Sequence, residues 1–251
     1  MTTLTWTDLV PSLVGIIALT ALATAVLGLS RIPHLRAPAL AVLRGTVQLA
    51  VISALLSGIL TDPRGIAAAL VVMYVVATTV ASGRIGRTRR TVAVMAVSIA
   101  AGVVAALSIV FMTGAIDFTP RYALALGAIV IGNTMGIAAL TARIFHRSLH
   151  DHWDEAEGWL ALGATAREST VLRAREAVRE ALIPSIDQTR TTGLVVLPGA
   201  FVGAIFGGLS PFEAGRFQIV VLAAIIAAGS ITAVLVVRGL GDVRTRPQAM
   251  R

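Results

Sequence analysis

Long apolar runs alternate with short polar ones along this chain. Seven runs approach or reach the roughly 20 residues that a helix needs to cross a bilayer: 9–29, 40–60, 66–82, 92–112, 122–142, 193–209 and 217–237, of which the third and sixth are shortest. None alternates apolar and polar positions as a half-buried strand does, and no internal repeat or low-complexity tract is evident. The pattern predicts an all-α integral membrane protein with about seven transmembrane helices. It reads as a single transmembrane domain over residues 1–251, with short loose ends at 1–8 and 242–251. Residues 1–10 carry no positive charge. A secretory leader needs one there, so the first run reads as a span.

One long polar stretch, 147–190, interrupts this pattern. Two helical pieces are predicted in it. The first covers 154–162 and carries Trp159, Leu160 and Leu162 ahead of Gly163. The second begins at Thr165, where Glu168 three residues on has the spacing of a capping box, and is expected to stop at Pro184. Val171, Ala174, Val178, Ala181 and Leu182 fall at helical spacing on one face, and Arg173, Arg175, Glu176, Arg179 and Glu180 on the other. Such a helix suits a membrane surface or a partner protein, with its charges in water.

Composition supports the membrane reading. Residues are 56% apolar and only 14% charged, against about 25% charged in a soluble domain, and mean hydropathy is +0.85. The net charge of +8 would suit a nucleic-acid binder, but the placement of the arginines explains it otherwise. With the N-terminus outside, all arginines but Arg64, Arg121 and Arg216 fall in 30–44, 83–91, 143–192 or the tail from 238. Cytoplasmic loops carry such an excess. The expected topology is multi-pass, N-terminus outside and C-terminus inside, with region 146–192 in the cytoplasm and no nucleic-acid partner.

The residues also restrict the chemistry. All 21 basic residues are arginine; a P-loop requires a lysine on the nucleotide phosphates, so this chain holds no standard P-loop ATPase. Neither H-E-x-x-H nor G-x-S-x-G occurs, which removes the commonest protease motifs. All 13 acidic residues fall outside the seven runs, which weakens a proton-coupled carrier. A pathway's worth of helices without an engine fits an ATP-driven transporter whose ATPase is a separate subunit. A stand-alone channel or secondary carrier is the alternative.

Particular segments sharpen this. L-G-A-T at 162–165 is followed by A-R-E-A-V-R-E-A-L-I-P-S-I-D-Q-T-R-T-T-G-L-V-V-L-P-G at 174–199. R-G-T-V-Q-L stands at 44–49, G-N-T-M at 132–135 and F-E-A-G-R-F-Q-I at 212–219. Together they resemble the FetB-type family of ATP-binding-cassette (ABC) transporter permeases, which includes bacterial iron exporters and the membrane halves of plant aluminium-resistance transporters. The likeness runs from about residue 44 to about 219 and is most specific over 162–199. It departs from the general ABC permease signature: Glu155-Ala156 is followed by Glu157, and Gly163 stands far from Pro184. The resemblance implies a non-enzymatic membrane subunit in the bacterial inner membrane, exporting a metal ion such as iron. It also implies a homodimer, lipid around it, and a separate P-loop ATPase that binds ATP and Mg2+, with no cofactor in this chain.

Candidate site residues follow. Trp159, Leu160, Leu162, Gly163, Ala164 and Thr165 are expected to couple to the ATPase; the other reading is an interfacial anchor for Trp159 and Leu160. Arg44 and Gln48, four apart on the second run, either line a substrate path or snorkel and bond a neighbouring helix. Asn133, with Met135 nearby, offers an oxygen to an ion or a hydrogen bond between helices. Pro198, Gly199, Gly203 and Gly207 form a small-residue face for a dimer contact, for a hinge, or for packing within the chain. His146, His150, His152 and Asp154 are metal candidates, because His146 and His150 share a helix face; a solvated cap is the alternative.

Overall fold

A computed structural model describes residues 6–33, 35–59 and 62–248. The expected loose ends at 1–8 and 242–251 lie partly outside these residues. No strand occurs among the described residues, and six helices are long and apolar enough to cross a membrane. Contacts divide the chain into two compact units, Met1–Leu60 and Thr61–Arg251.

The first unit is the helix pair α1 (Trp6–Leu29) and α2 (Ala37–Ile59). Leu13, Ile16, Ile17, Val42 and Leu43 line an apolar groove of about 710 Å³ between them. Thr20, Thr24 and Thr46 donate to the carbonyls four residues back, Ile16, Thr20 and Val42. A hydroxyl on an apolar helix is thereby satisfied without leaving it.

The second unit contains α3 (Pro63–Gly83), α4 (Arg89–Met112), α5 (Pro120–Asp151), α6 (Trp153–Ala161), α7 (Ala166–Thr191), α8 (Gly199–Phe206) and α9 (Pro211–Leu240). Sequence punctuation sets the starts of its long apolar helices. Asp62, Thr88, Thr119 and Ser210 cap α3, α4, α5 and α9 with their side-chain oxygens. Pro63, Pro120 and Pro211 follow three of these caps, where a missing N–H costs nothing.

The core lies where α4, α5 and α9 meet, around Ile99, Val103, Leu126, Val130, Ile137, Ile225 and Ala228. Gly102 makes the α4–α9 approach possible: a Cβ there would collide with the Ala228 carbonyl and the Thr232 hydroxyl. That hydroxyl donates to the Ser98 carbonyl at 3.0 Å, a buried bond between helices. Tyr74 ties α3 to α4 by donating to the Ala96 carbonyl at 2.8 Å.

Helix directions follow from these contacts. α4 runs against α9, since Arg90 donates to the Gly239 carbonyl. α3 runs against α4 across the short turn 84–88, where Tyr74 meets Ala96, and it packs on α5 with Leu70 against Gly127. α5 and α9 run together: Tyr122 and Phe217 meet near their first residues, centroids 5.6 Å apart, and Phe145, Leu149 and Val237 meet near their last. So α3, α5 and α9 point one way and α4 the other. Arg84, Arg87, Arg89, Arg90, Arg143, Arg147 and Arg238 gather at one end, and Arg64, Arg121 and Arg216 at the other.

Two expectations are corrected. Residues 193–209 form no spanning helix. Only Gly199–Phe206 is helical there, 8 residues, or about 12 Å against a hydrocarbon core of about 30 Å. Gly193 at φ +87° and Gly208 at φ +96° turn the chain on either side, and Pro198 starts the short helix as its N-cap. Nor does Pro184 stop the second polar helix: it lies inside α7, which continues to Thr191. Thr189 and Thr191 hydrogen-bond back to the carbonyls of Ser185 and Asp187 in that last part.

Candidate functional site

The arginine-rich end of the second unit carries a platform made by α6 and the start of α7. The capping box forms as its spacing predicts. Glu168 N–H donates to the Thr165 hydroxyl oxygen at 3.3 Å, and Thr165 N–H and O–H donate to the Glu168 carboxylate at 2.8 and 2.7 Å. Those two bonds, the backbone one first, hold the Glu168 carboxyl below its ordinary value of 4.5. A depressed carboxyl stabilises the fold when ionised. This contribution is therefore present at neutral pH and is lost as pH falls through the lowered value. Gly163, at φ +91°, makes the turn between the two helices, a conformation that a side chain would strain.

This turn leaves apolar side chains outside. Trp159 is 59% exposed and Leu162 83%. With Gly163, Ala164, Val171 and Leu172 they line an open groove of about 700 Å³, and Glu168 and Ser169 complete its lining. Leu160 turns half inward and does not line it. Contiguous exposed apolar surface rimmed by polar groups marks an interaction site.

Beneath the groove the platform is fixed to the core. Ala156 of α6 and Ala177 of α7 bury against Phe145, Leu149 and Val237. Thr170 donates to the Gly241 carbonyl at 3.0 Å. Arg173, expected on a solvated face, is only 16% exposed and bonds Glu155 of α6 at 2.7 Å and Glu176 at 2.9 Å. Val171, expected on the buried face, is exposed instead. Sequence spacing missed Ala177 as the inward residue and Glu155 as the partner that pins α6 to α7.

Arg44 and Gln48 are exposed on α2 and line no part of its groove with α1. Asn133 is half buried, and its amide donates to the Ile129 carbonyl of its own helix at 2.8 Å rather than to a neighbour. Met135 packs on the core. Pro198, Gly199, Gly203 and Gly207 fall on or beside α8; a Cβ on Gly199 or Gly203 would meet nothing within 4 Å, so that face is open.

The histidines diverge. His146 lines a cavity with Thr91, Leu240 and Arg246, His150 meets Asp151 at 3.1 Å, and His152 faces a cleft towards α7. Among the described residues no three His, Cys, Asp or Glu side chains converge as a metal site.

A helical, multi-pass membrane protein with an exposed apolar groove at its arginine-rich end is the class these features define. Within that class the chain belongs to the uncharacterised protein family UPF0014, whose model matches residues 10–242; this is the FetB-type family that its motifs resemble. The UPF0014 membrane protein STAR2 of Oryza sativa subsp. japonica is 35% identical over 199 residues, 78% of this chain and 69% of the rice protein. Protein ALUMINUM SENSITIVE 3 of Arabidopsis thaliana is 33% identical over 141 residues, 56% of this chain and 52% of its own length. The Escherichia coli (strain K12) protein described as "Probable iron export permease protein FetB" is 29% identical over 141 residues, 56% of this chain and 54% of that protein. The match thus spans about half the length of the latter two. No solved structure gives a significant match.

Proposed function

We propose that this chain is the membrane subunit of an ABC transporter that exports a metal ion, such as iron, using ATP and Mg2+ bound by a separate P-loop ATPase. The observation that carries this reading is the exposed groove of Trp159, Leu162, Val171 and Leu172 around the α6–α7 turn. It offers apolar anchors to a partner; Arg173 pins α6 to α7, and Thr170 and Ala177 tie α7 to the helices beneath. A push on the groove therefore reaches α5 and α9. The name of the E. coli relative supports both the permease role and iron as cargo. The arginine-rich end faces the cytoplasm on this reading, N-terminus outside and C-terminus inside, in the bacterial inner membrane.

ABC ATPases work as pairs, so two copies of this chain form the pathway. The open α8 glycines are the proposed contact, with Pro198 as the hinge. Gly203→Leu should then leave the single chain as stable as before, since nothing lies within 4 Å, yet lower the dimer fraction in detergent. An unchanged dimer fraction would place the contact elsewhere.

The test of function is reconstitution. The purified chain alone should hydrolyse no ATP, and liposomes should move metal only when the ATPase subunit and ATP are added. Metal flux without either would favour the alternative, a stand-alone channel or secondary carrier.

A further inference from the structure

α5 and α9 run in the same direction, yet both are apolar enough to cross the membrane. The chain between them must therefore return from one face to the other. The apolar run 193–209 cannot do this with a helix of 8 residues. α7 has both the position and the direction. Its start is bonded to Gly241 at the end of α9. Twelve residues later Leu182 stands 3.5 Å from where a Cβ on Gly229 would be, beside Ile137 in the middle of α5. Both intervals correspond to about 18 Å of helix, so α7 climbs alongside α9 in antiparallel fashion. It then continues to Thr191, roughly another 13 Å.

One face of this helix, Ala174, Val178, Ala181 and Leu182, packs on the core. The opposite face, Arg175, Arg179, Asp187 and Arg190, is exposed. Charges at membrane depth do not face lipid; they face water or other protein. Beside them a cleft of about 440 Å³ opens between α5 and α7, lined by Arg143, Arg147, Ser148, Glu176, Glu180 and Leu140 among others. It reaches from the arginine-rich end to Leu140 and Glu180, within a turn of the Ile137–Leu182 level.

We propose that α7 is the missing membrane passage, and that the α5–α7 cleft is a water-filled inlet with Glu180 as its deepest ionisable group. Neither the passage nor the inlet depends on the transport reading. The acidic residues, all outside the seven apolar runs, then include Glu176, Glu180 and Asp187 within the membrane. Arg190 moves to the outer end, so the arginine split shifts by a single residue.

The chain contains no cysteine, so single substitutions can be probed with a membrane-impermeant maleimide. Arg167→Cys and Thr191→Cys, with Arg190→Cys as a second variant for the far end, are labelled in intact cells and in opened membranes. Reaction from opposite sides is expected; reaction of all three from the same side overturns the passage. Glu180→Cys should react at least about 10-fold faster than Val104→Cys, which lies exposed on apolar α4. Equal rates overturn the inlet. Neither readout needs an ATPase or a metal, so failure of the transporter reading would leave these results standing.

Discussion

Leu162→Glu is expected to abolish transport while the protein remains folded and inserted. Leu162 is 83% exposed at the α6–α7 turn, so a carboxylate there meets water in the isolated chain, and surface changes of this kind usually alter stability by less than about 0.5 kcal/mol. In the proposed complex with the ATPase the same carboxylate would enter an apolar contact without a partner, which costs several kcal/mol. Trp159→Ala should act in the same direction more mildly. Truncating a central aromatic anchor typically costs about 2 kcal/mol or more, roughly 30-fold in affinity. Leu160→Glu is a weaker probe of docking, because Leu160 is half buried and its replacement disturbs α6 itself. The measurement is co-purification of the ATPase with each variant, together with metal efflux. Full efflux from Leu162→Glu would remove the groove from the coupling path.

The second large effect is expected inside the bundle. Gly102→Leu should lower the melting temperature in detergent sharply. Its side chain has to displace the Ala228 carbonyl and the Thr232 hydroxyl, and the latter carries the buried bond to Ser98. Overpacking costs about 1–3 kcal/mol, and an unsatisfied buried carbonyl adds about 1–3 kcal/mol. Gly132→Ala is the control, since a Cβ there meets nothing within 4 Å. Equal melting temperatures for the two variants would mean that α4 and α9 do not approach as closely as described.

Hydropathy located α1–α5 and α9 because each contains an apolar run of spanning length, and the capping box at Thr165 was legible because its two partners are three residues apart. What escaped the sequence was nonlocal or depended on facing. Residues 193–209 have the composition of a span, but Gly193, Pro198 and Gly208 divide the backbone that would have to cross. α7 has the composition of a cytoplasmic helix, and a count of arginines does not register the inward stripe of Ala177, Ala181 and Leu182 on which its proposed passage rests. Arg173 looked solvated since Glu155, its partner, comes from a different helix. Pro184 looked like a terminator because it removes one backbone bond; the packing of α7 on α5 and α9 outweighs that loss.

The shared direction of α5 and α9 has a consequence for biogenesis. A segment as charged as α7 does not leave the translocon for lipid on its own. On the proposed topology it waits in the cytoplasm until α9 has emerged to sheath it, and only then slides up between its two neighbours. The last helix to be synthesised would then set the final orientation of one made long before it. A chain ended after Phe206 should accordingly keep Thr191 on the same side as Arg167.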